Sequence, residues 1–265
     1  MPDVKEQEKI ARKLLPIIYV LDTSGSMSGD RIAAVNAAMN ETIEVLRDVS
    51  ENNPTAELKI GVLQFSSGAK WITDSGLVFM EDFYWNDLKA GGLTDVGSAL
   101  NELHKKLSRK EFLDSEVGYK APVIIFMSDG EPTDDYEAAL KKINANNKWF
   151  KVSTKIAMAV GDGANLEVLQ KIVGNREGVI QVDDLETLKK LIKVVSVTAS
   201  QIGTQSRTDP NTTGEIMENV KTEMGKDIQI PTTLDASSSG EDQTLTNDGD
   251  IILDDDDPWP DKIWD

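Results

Sequence analysis

A chain of 265 residues, 39% of them hydrophobic, can build one domain with extensions around a real core. Its net charge of −18, from 46 acidic and 28 basic residues, argues against nucleic acid and anionic membrane surfaces as main partners and fits cations or basic protein surfaces. The absence of cysteine excludes disulfides, thiolate metal sites and cysteine nucleophiles, and a single histidine, His104, all but excludes a histidine triad or a His-rich metal site.

Residues 1–13 form a charged N-terminal extension that does not read as a secretory signal, and no run reaches the length of a transmembrane span. The default expectation is a soluble cytoplasmic protein. "LLPIIYVL" (14–21) reads as a buried strand. "RIAAVNAAMNETIEVLRDV" (31–49) puts Ile32, Val35, Ala38, Met39, Ile43 and Leu46 on one helical stripe. "ELKIGVLQFS" (57–66) alternates as a strand, and "AKWIT" (69–73) and "LVFM" are short strand candidates. A helix over 95–109 and a fully buried strand, "APVIIFMSDG" (121–130), come next. The rest alternates: helix 134–146, strand 152–161, helix 165–174, strand 178–182 and a closing helix over 184–202. Alternation of this kind predicts an α/β fold, a parallel sheet with helices on both faces. Ligands in such folds sit beyond the carboxyl ends of the strands, where strand order reverses. Both "DTSGS" (22–26) and "SDGEPTDD" (128–135) follow buried strands, so both are placed to meet there.

Beyond residue 203 the composition turns polar. Residues 204–265 hold 16 acidic and 4 basic residues, two thirds of the net charge in under a quarter of the length, and read as a largely disordered acidic tail. The tail ends in "IILDDDDPWPDKIWD", with Trp259 and Trp264 among aspartates.

Three readings compete for "DTSGS". One is helix capping by Ser28 or Asp30 ahead of Arg31, which leaves Asp22 at a strand end unexplained. The second is a haloacid-dehalogenase-like phosphatase, suggested by the strand-terminal Asp22 and by "MSDG" (127–130) and "VGDGAN" (160–165). That chemistry wants a second aspartate two residues on as general acid; Ser24 stands there and cannot serve near neutral pH. The third is an all-oxygen site for a hard divalent cation such as Mg²⁺, built from Asp22, Ser24 and Ser26. It needs more oxygens, and Thr94 in "AGGLTDVGSAL" (90–100) and Asp129 offer them.

"IYVLDTSGSM", "GGLTDVGSAL" and "VIIFMSDGEPTDD" together resemble the von Willebrand factor A domain with its metal-ion-dependent adhesion site, over residues 14–203. The resemblance implies a doubly wound, mostly parallel sheet with one short antiparallel edge strand, for which "AKWIT" is the candidate. It implies Asp22, Ser24, Ser26, Thr94 and Asp129 as the metal residues, holding Mg²⁺ (or Mn²⁺ or Ca²⁺), and no enzymatic activity. The carboxylates then act through water and leave a coordination position open for an Asp or Glu of a partner. "LPIIYVLDTSGSM" with "SDGEPTDD" is further similar to bacterial A-domain proteins associated with tellurium resistance. That similarity implies a stress-response scaffold linked with a protein kinase and a PP2C-type phosphatase. A structural A domain with an empty site stays open as an alternative.

Other features are assigned no chemistry. His104 reads as an exposed or half-buried helix residue, and the lysine pairs as solvated helix faces. "FYW" (83–85) reads as a packing or loop anchor, although its place before the Thr94 loop would let it line the rim. The acidic tail with Trp259 and Trp264 has three readings: docking on the chain's own metal site, bait for a separate partner, or a plain solubilising segment.

Overall fold

A computed structural model describes residues 12–73, 76–205, 212–225 and 228. The tail motif with Asp254, Asp255, Asp256, Asp257, Trp259 and Trp264, and nearly all of the N-terminal extension, lie outside the described residues.

The sheet is built on β1 (Lys13–Asp22), of which every residue after the first is buried. It pairs in parallel with β2 (Ala56–Ser66) on one side and β5 (Val123–Ser128) on the other. β6 (Thr154–Val160) and β7 (Val179–Val182) continue the parallel sheet beyond β5. The far edge, next to β2, is antiparallel. It consists of β3 (Gly68–Trp71), the core of the predicted "AKWIT" strand, and of β4 (Val78–Phe79), which pairs further back along β2. The two segments overlap the two short strand candidates, "AKWIT" and "LVFM", where the family resemblance implied a single antiparallel edge strand. The strand order is β3-β2-β1-β5-β6-β7, with β4 beside β2.

Alternate residues of β1 serve two cores, which explains an unbroken apolar run in a strand buried on both faces. Leu15, Ile17, Tyr19 and Leu21 pack toward α1 (Asp30–Glu51), α6 (Leu185–Gly203) and α7 (Thr212–Met224). Leu14, Ile18 and Val20 pack toward α2 (Val96–Lys106), α3 (Tyr136–Asn146) and α5 (Leu166–Val173), with Phe150 from the short α4 (Lys148–Val152). The buried Tyr19 hydroxyl bonds Ser196 Oγ of α6 at 2.8 Å, so its burial in the core carries no unpaired donor.

Two expectations are corrected. Neither Ser28 nor Asp30 caps α1: Gly29, at φ 77°, is the N-cap residue, no side chain caps it, and Asp30 is the first helical residue. The ordered fold also does not stop at 203. Within the segment read as disordered, α7 places Ile216, Met217, Val220 and Met224 in the same core as α1 and α6. Those four residues follow helical spacing, and their burial offsets the polar composition around them. Among the described residues no helix is long and apolar enough to cross a membrane.

Strand order reverses at β1: the chain goes to β2 on one side and later returns to β5 on the other. The carboxyl ends of β1 and β5 thus flank the switch point. They carry Asp22 and the pair Ser128–Asp129.

Candidate metal centre

The first loop turns on Asp22. Its Oδ1 accepts the Ser24 N–H at 2.8 Å, folding the backbone back into a single 3₁₀ turn over Gly25–Met27, and the fully buried Met27 pins that turn to the core. Thr23 points away: its N–H and its hydroxyl both donate to the Phe65 carbonyl, at 2.8 and 3.0 Å. Of the three hydroxyls in "DTSGS", only Ser24 and Ser26 face the site, and their Oγ atoms lie 2.9 Å apart.

The second loop carries Thr94 and is stitched to the first by backbone bonds, Gly91 N–H to Thr23 O at 2.8 Å and Gly25 N–H to Gly92 O at 3.0 Å. Gly92 has φ 94°, and a Cβ there would stand 2.8 Å from Ser67 Oγ, so the approach needs a residue with no side chain. Asp95 anchors the loop from below, accepting from Gly68 N–H at 2.7 Å and from the Thr133 hydroxyl at 2.9 Å.

The third loop leaves β5. Ser128 Oγ donates to Asp22 Oδ2 at 2.6 Å, and Ser26 Oγ donates to Asp129 Oδ1 at 2.7 Å. A Cβ on Gly130 would lie 3.5 Å from Thr94 Oγ1 and 3.6 Å from Ser26 Oγ, so these hydroxyls flank one small space that a side chain would fill. Asp134 closes the arrangement by accepting the Gly97 and Ser98 N–H groups, both at 2.8 Å, at the start of α2. This is a helix cap supplied from another loop.

The structure therefore gathers all five predicted residues, Asp22, Ser24, Ser26, Thr94 and Asp129, at the switch point. Asp22, Ser24, Thr94 and Asp129 are all buried. Burial pushes the Asp22 carboxyl above its ordinary range; hydrogen bonds from Ser128 and Ser24 oppose this, and the charge of Asp129 adds to it. Two carboxylates and three hydroxyls form an all-oxygen donor set, which fits a hard divalent cation and not a soft one. Among the described residues no group of three or more His, Cys, Asp or Glu gathers as a metal cluster, so any cation here relies on hydroxyls and water. Ser24, Ser26 and Thr94 would supply hydroxyl oxygens, and Asp22 and Asp129 the charge.

Sequence reasoning missed the supporting residues Ser128, Thr133 and Asp134, and it missed Arg31. Arg31 forms an ion pair with Asp129 Oδ2 and donates to the Ser26 carbonyl at 3.3 Å. One signal was available: a cation in the first turn of a helix opposes the helix dipole and so asks for another partner. His104 sits half-buried in α2 and Asp162 lies exposed in the turn between β6 and α5; neither is among the groups bonded to the site. The 83–85 cluster is an anchor: Phe83 is buried, and Trp85 Nε1 donates to Asn36 of α1 at 3.3 Å. Ser24 spends its hydroxyl on Ser26, and nothing in the geometry gives it the acid role that the phosphatase reading requires.

Residues 17–194 match the von Willebrand factor type A domain family. Inter-alpha-trypsin inhibitor heavy chain H6 of Homo sapiens is 25% identical across 62% of this chain, a region that spans 13% of that relative's length. Among solved structures, a von Willebrand factor type A protein from Catenulispora acidiphila is similar at a TM-score of 0.52 and 20% identity, covering 71% of this chain and 43% of the other. Proximal thread matrix protein 1 from the mussel byssus, solved with zinc in its metal-ion-dependent adhesion motif, gives a TM-score of 0.51 at 19% identity, covering 71% of this chain and 46% of the other. These structural likenesses speak to the fold.

Proposed function

The chain belongs to the von Willebrand factor type A family, and from that premise we propose that it is a divalent-cation-dependent protein-binding module whose ligand is an Asp or Glu carboxylate of a partner. Domains of this family typically act as interaction or adhesion modules with a metal site. The observation that carries the reading is the hydroxyl-to-carboxylate relay Ser24–Ser26–Asp129, joined by Asp22 and Thr94 at the switch point. A bound cation supplies a strong positive field that only two carboxylates balance, so it keeps affinity for an external anionic oxygen. The zinc-loaded motif of the mussel protein supports a divalent ion in this place. The all-oxygen donors here favour Mg²⁺, with Mn²⁺ or Ca²⁺ as substitutes. Leu93, next to Thr94 and 56% exposed, offers a protein ligand an apolar contact beside the ion.

The finer reading is a scaffold of a bacterial cytoplasmic stress-response system of the tellurium-resistance type, working with a protein kinase and a PP2C-type phosphatase. Its support is the motif pair "LPIIYVLDTSGSM" and "SDGEPTDD". The acidic segment with Trp259 and Trp264 is then either a second partner motif or a ligand for the chain's own site.

The test pairs calorimetric Mg²⁺ titration of the full chain and of Asp22→Ala with affinity capture in Mg²⁺ and in EDTA. Mg²⁺ binding lost in the variant, together with partners released by EDTA, supports the reading. Unchanged Mg²⁺ affinity in Asp22→Ala overturns it.

A further inference from the structure

The site contains a cation of its own. Arg31 reaches from the first turn of α1 to Asp129, whose side chain is fully buried, while the Arg31 side chain is 36% exposed. The two oxygens of Asp129 are divided: Oδ1 takes the Ser26 hydroxyl on the side of the site, and Oδ2 takes Arg31. The guanidinium has a built seat. It donates to the Ser26 carbonyl at 3.3 Å, and it lies against Gly161, where a Cβ would come 2.8 Å from its Nη2. Gly161 sits at φ 84°, a conformation that calls for glycine, and the missing side chain leaves room for the guanidinium beside it. Helix stability does not account for Arg31, because a positive charge at a helix N-terminus is unfavourable.

We propose that Arg31 sets the cation affinity of the site by neutralising Asp129, acting as a resident competitor of the divalent ion. This rests on the metal-site reading above. With Arg31 in place, the two carboxylates and the guanidinium leave one formal negative charge, too little to hold a bare divalent ion tightly. The ion then gains most when a carboxylate ligand arrives with it, so cation and acidic partner bind together. Arg31 is a positioning and affinity-setting residue; it is not counted among the groups that hold the ion.

The experiment is calorimetric titration of the full-length chain with MgCl₂, and in parallel MnCl₂, for wild type, Arg31→Lys, Arg31→Gln and Arg31→Glu. A thermal melt in EDTA checks that each variant is folded. The expected affinities rise as the charge is moved, removed and reversed. Arg31→Lys falls between wild type and Arg31→Gln, which binds on the order of tenfold more tightly than wild type, and Arg31→Glu exceeds both. Arg31→Gln and Arg31→Glu binding no better than wild type would show that Arg31 merely orders Asp129, overturning the inference while leaving the metal site intact. Absence of binding in all four chains overturns the inference and the metal-site reading together.

Discussion

Thr133 and Thr94 hold each other by two backbone-directed bonds: the Thr94 N–H donates to Thr133 Oγ1 at 2.9 Å, and the Thr133 N–H donates to the Thr94 carbonyl at 2.9 Å. The same Thr133 hydroxyl donates to Asp95, so one side chain ties the third loop to the second. Thr133→Val keeps the shape and removes both hydroxyl bonds, leaving the Thr94 N–H unpaired. The expected loss is about 1–3 kcal/mol of stability with a several-fold weaker Mg²⁺ affinity, read by urea denaturation and calorimetry. Thr133→Ser should restore most of both. A Thr133→Val chain that binds Mg²⁺ as wild type does would show that Thr94 needs no such support.

Asp22 is a buried carboxylate raised by its burial, and a cation nearby is the partner that best relieves it. Mg²⁺ should therefore stabilise the wild-type chain by about 2.7 kcal/mol at a hundred times its Kd. Asp22→Asn keeps an oxygen for the Ser24 N–H and loses the charge. Thermal melts with Mg²⁺ and with EDTA should differ in wild type and nearly coincide in Asp22→Asn. An equal Mg²⁺-dependent shift in both chains would remove Asp22 from the site.

Gly92 and Gly29 separate strain from crowding. Both have positive φ, 94° and 77°, but a Cβ on Gly29 meets nothing within 4 Å, whereas one on Gly92 runs into Ser67 Oγ. Moving Ser67 would break the bond it accepts from the Leu93 N–H at 3.1 Å. Gly29→Ala should cost about 1 kcal/mol, and Gly92→Ala at least that much again. Gly92→Ala alone should also weaken Mg²⁺ binding, because it shifts the Thr94 loop. Equal stability losses from denaturant titration would mean that the close approach at Gly92 is not a constraint.

Burial draws the Lys155 ammonium down to about 8, although its Nζ donates to the Phe150 and Ser153 carbonyls at 2.9 and 3.1 Å. A lysine depressed in the folded state binds fewer protons there than in the unfolded chain between its folded and unfolded pKa. Stability contributed by this residue must then rise with pH across that window, and stay low and flat below it. The carbonyl bonds favour the charged form, so the full effect is at most about 3 kcal/mol. Lys155→Met should be more stable than wild type near pH 7, with the gap closing between about pH 8 and pH 10.5. The difference between the two chains isolates Lys155 and is the quantity to measure. A gap independent of pH would mean that Lys155 titrates normally.

The sheet was legible because its strands are buried on both faces: "LLPIIYVL" and "VIIFMS" are apolar without interruption, and no amphipathic helix reads that way. The five site residues were legible because each lies within a short motif at a strand end or glycine turn. Arg31, Ser128, Thr133 and Asp134 were not, because their roles are long-range bonds. Asp134 caps a helix that begins 38 residues earlier in the chain, and only folding brings the two together. Both edge segments overlap runs read as short strands, "AKWIT" and "LVFM"; only the first was assigned to the antiparallel edge, because a two-residue strand such as β4 gives no sign of its direction.

α7 was hidden for a different reason. Its four core residues sit in "TTGEIMENVKTEM", inside a segment whose overall charge and polarity dominate any average over it. Ile216, Met217, Val220 and Met224 nevertheless lie on one helical face and are buried. The described core therefore continues past residue 203, through α7 to Ile228, which packs against it. A chain cut after residue 231 keeps all of the described core, whereas one cut after 205 exposes the facing residues of α6 and β6. Each large side chain withdrawn from the core removes about 1.5–3 kcal/mol, so the shorter cut should lower the unfolding free energy by several kcal/mol or leave the domain unable to fold. Ile216→Ala and Val220→Ala in the full chain give a milder version, at about 2–5 and 1–3 kcal/mol. Both readouts are needed, because a truncated chain that aggregates says nothing of α7 by itself. Equal midpoints in urea for the 205 and 231 truncations, together with alanine variants that cost nothing, would return α7 to the tail.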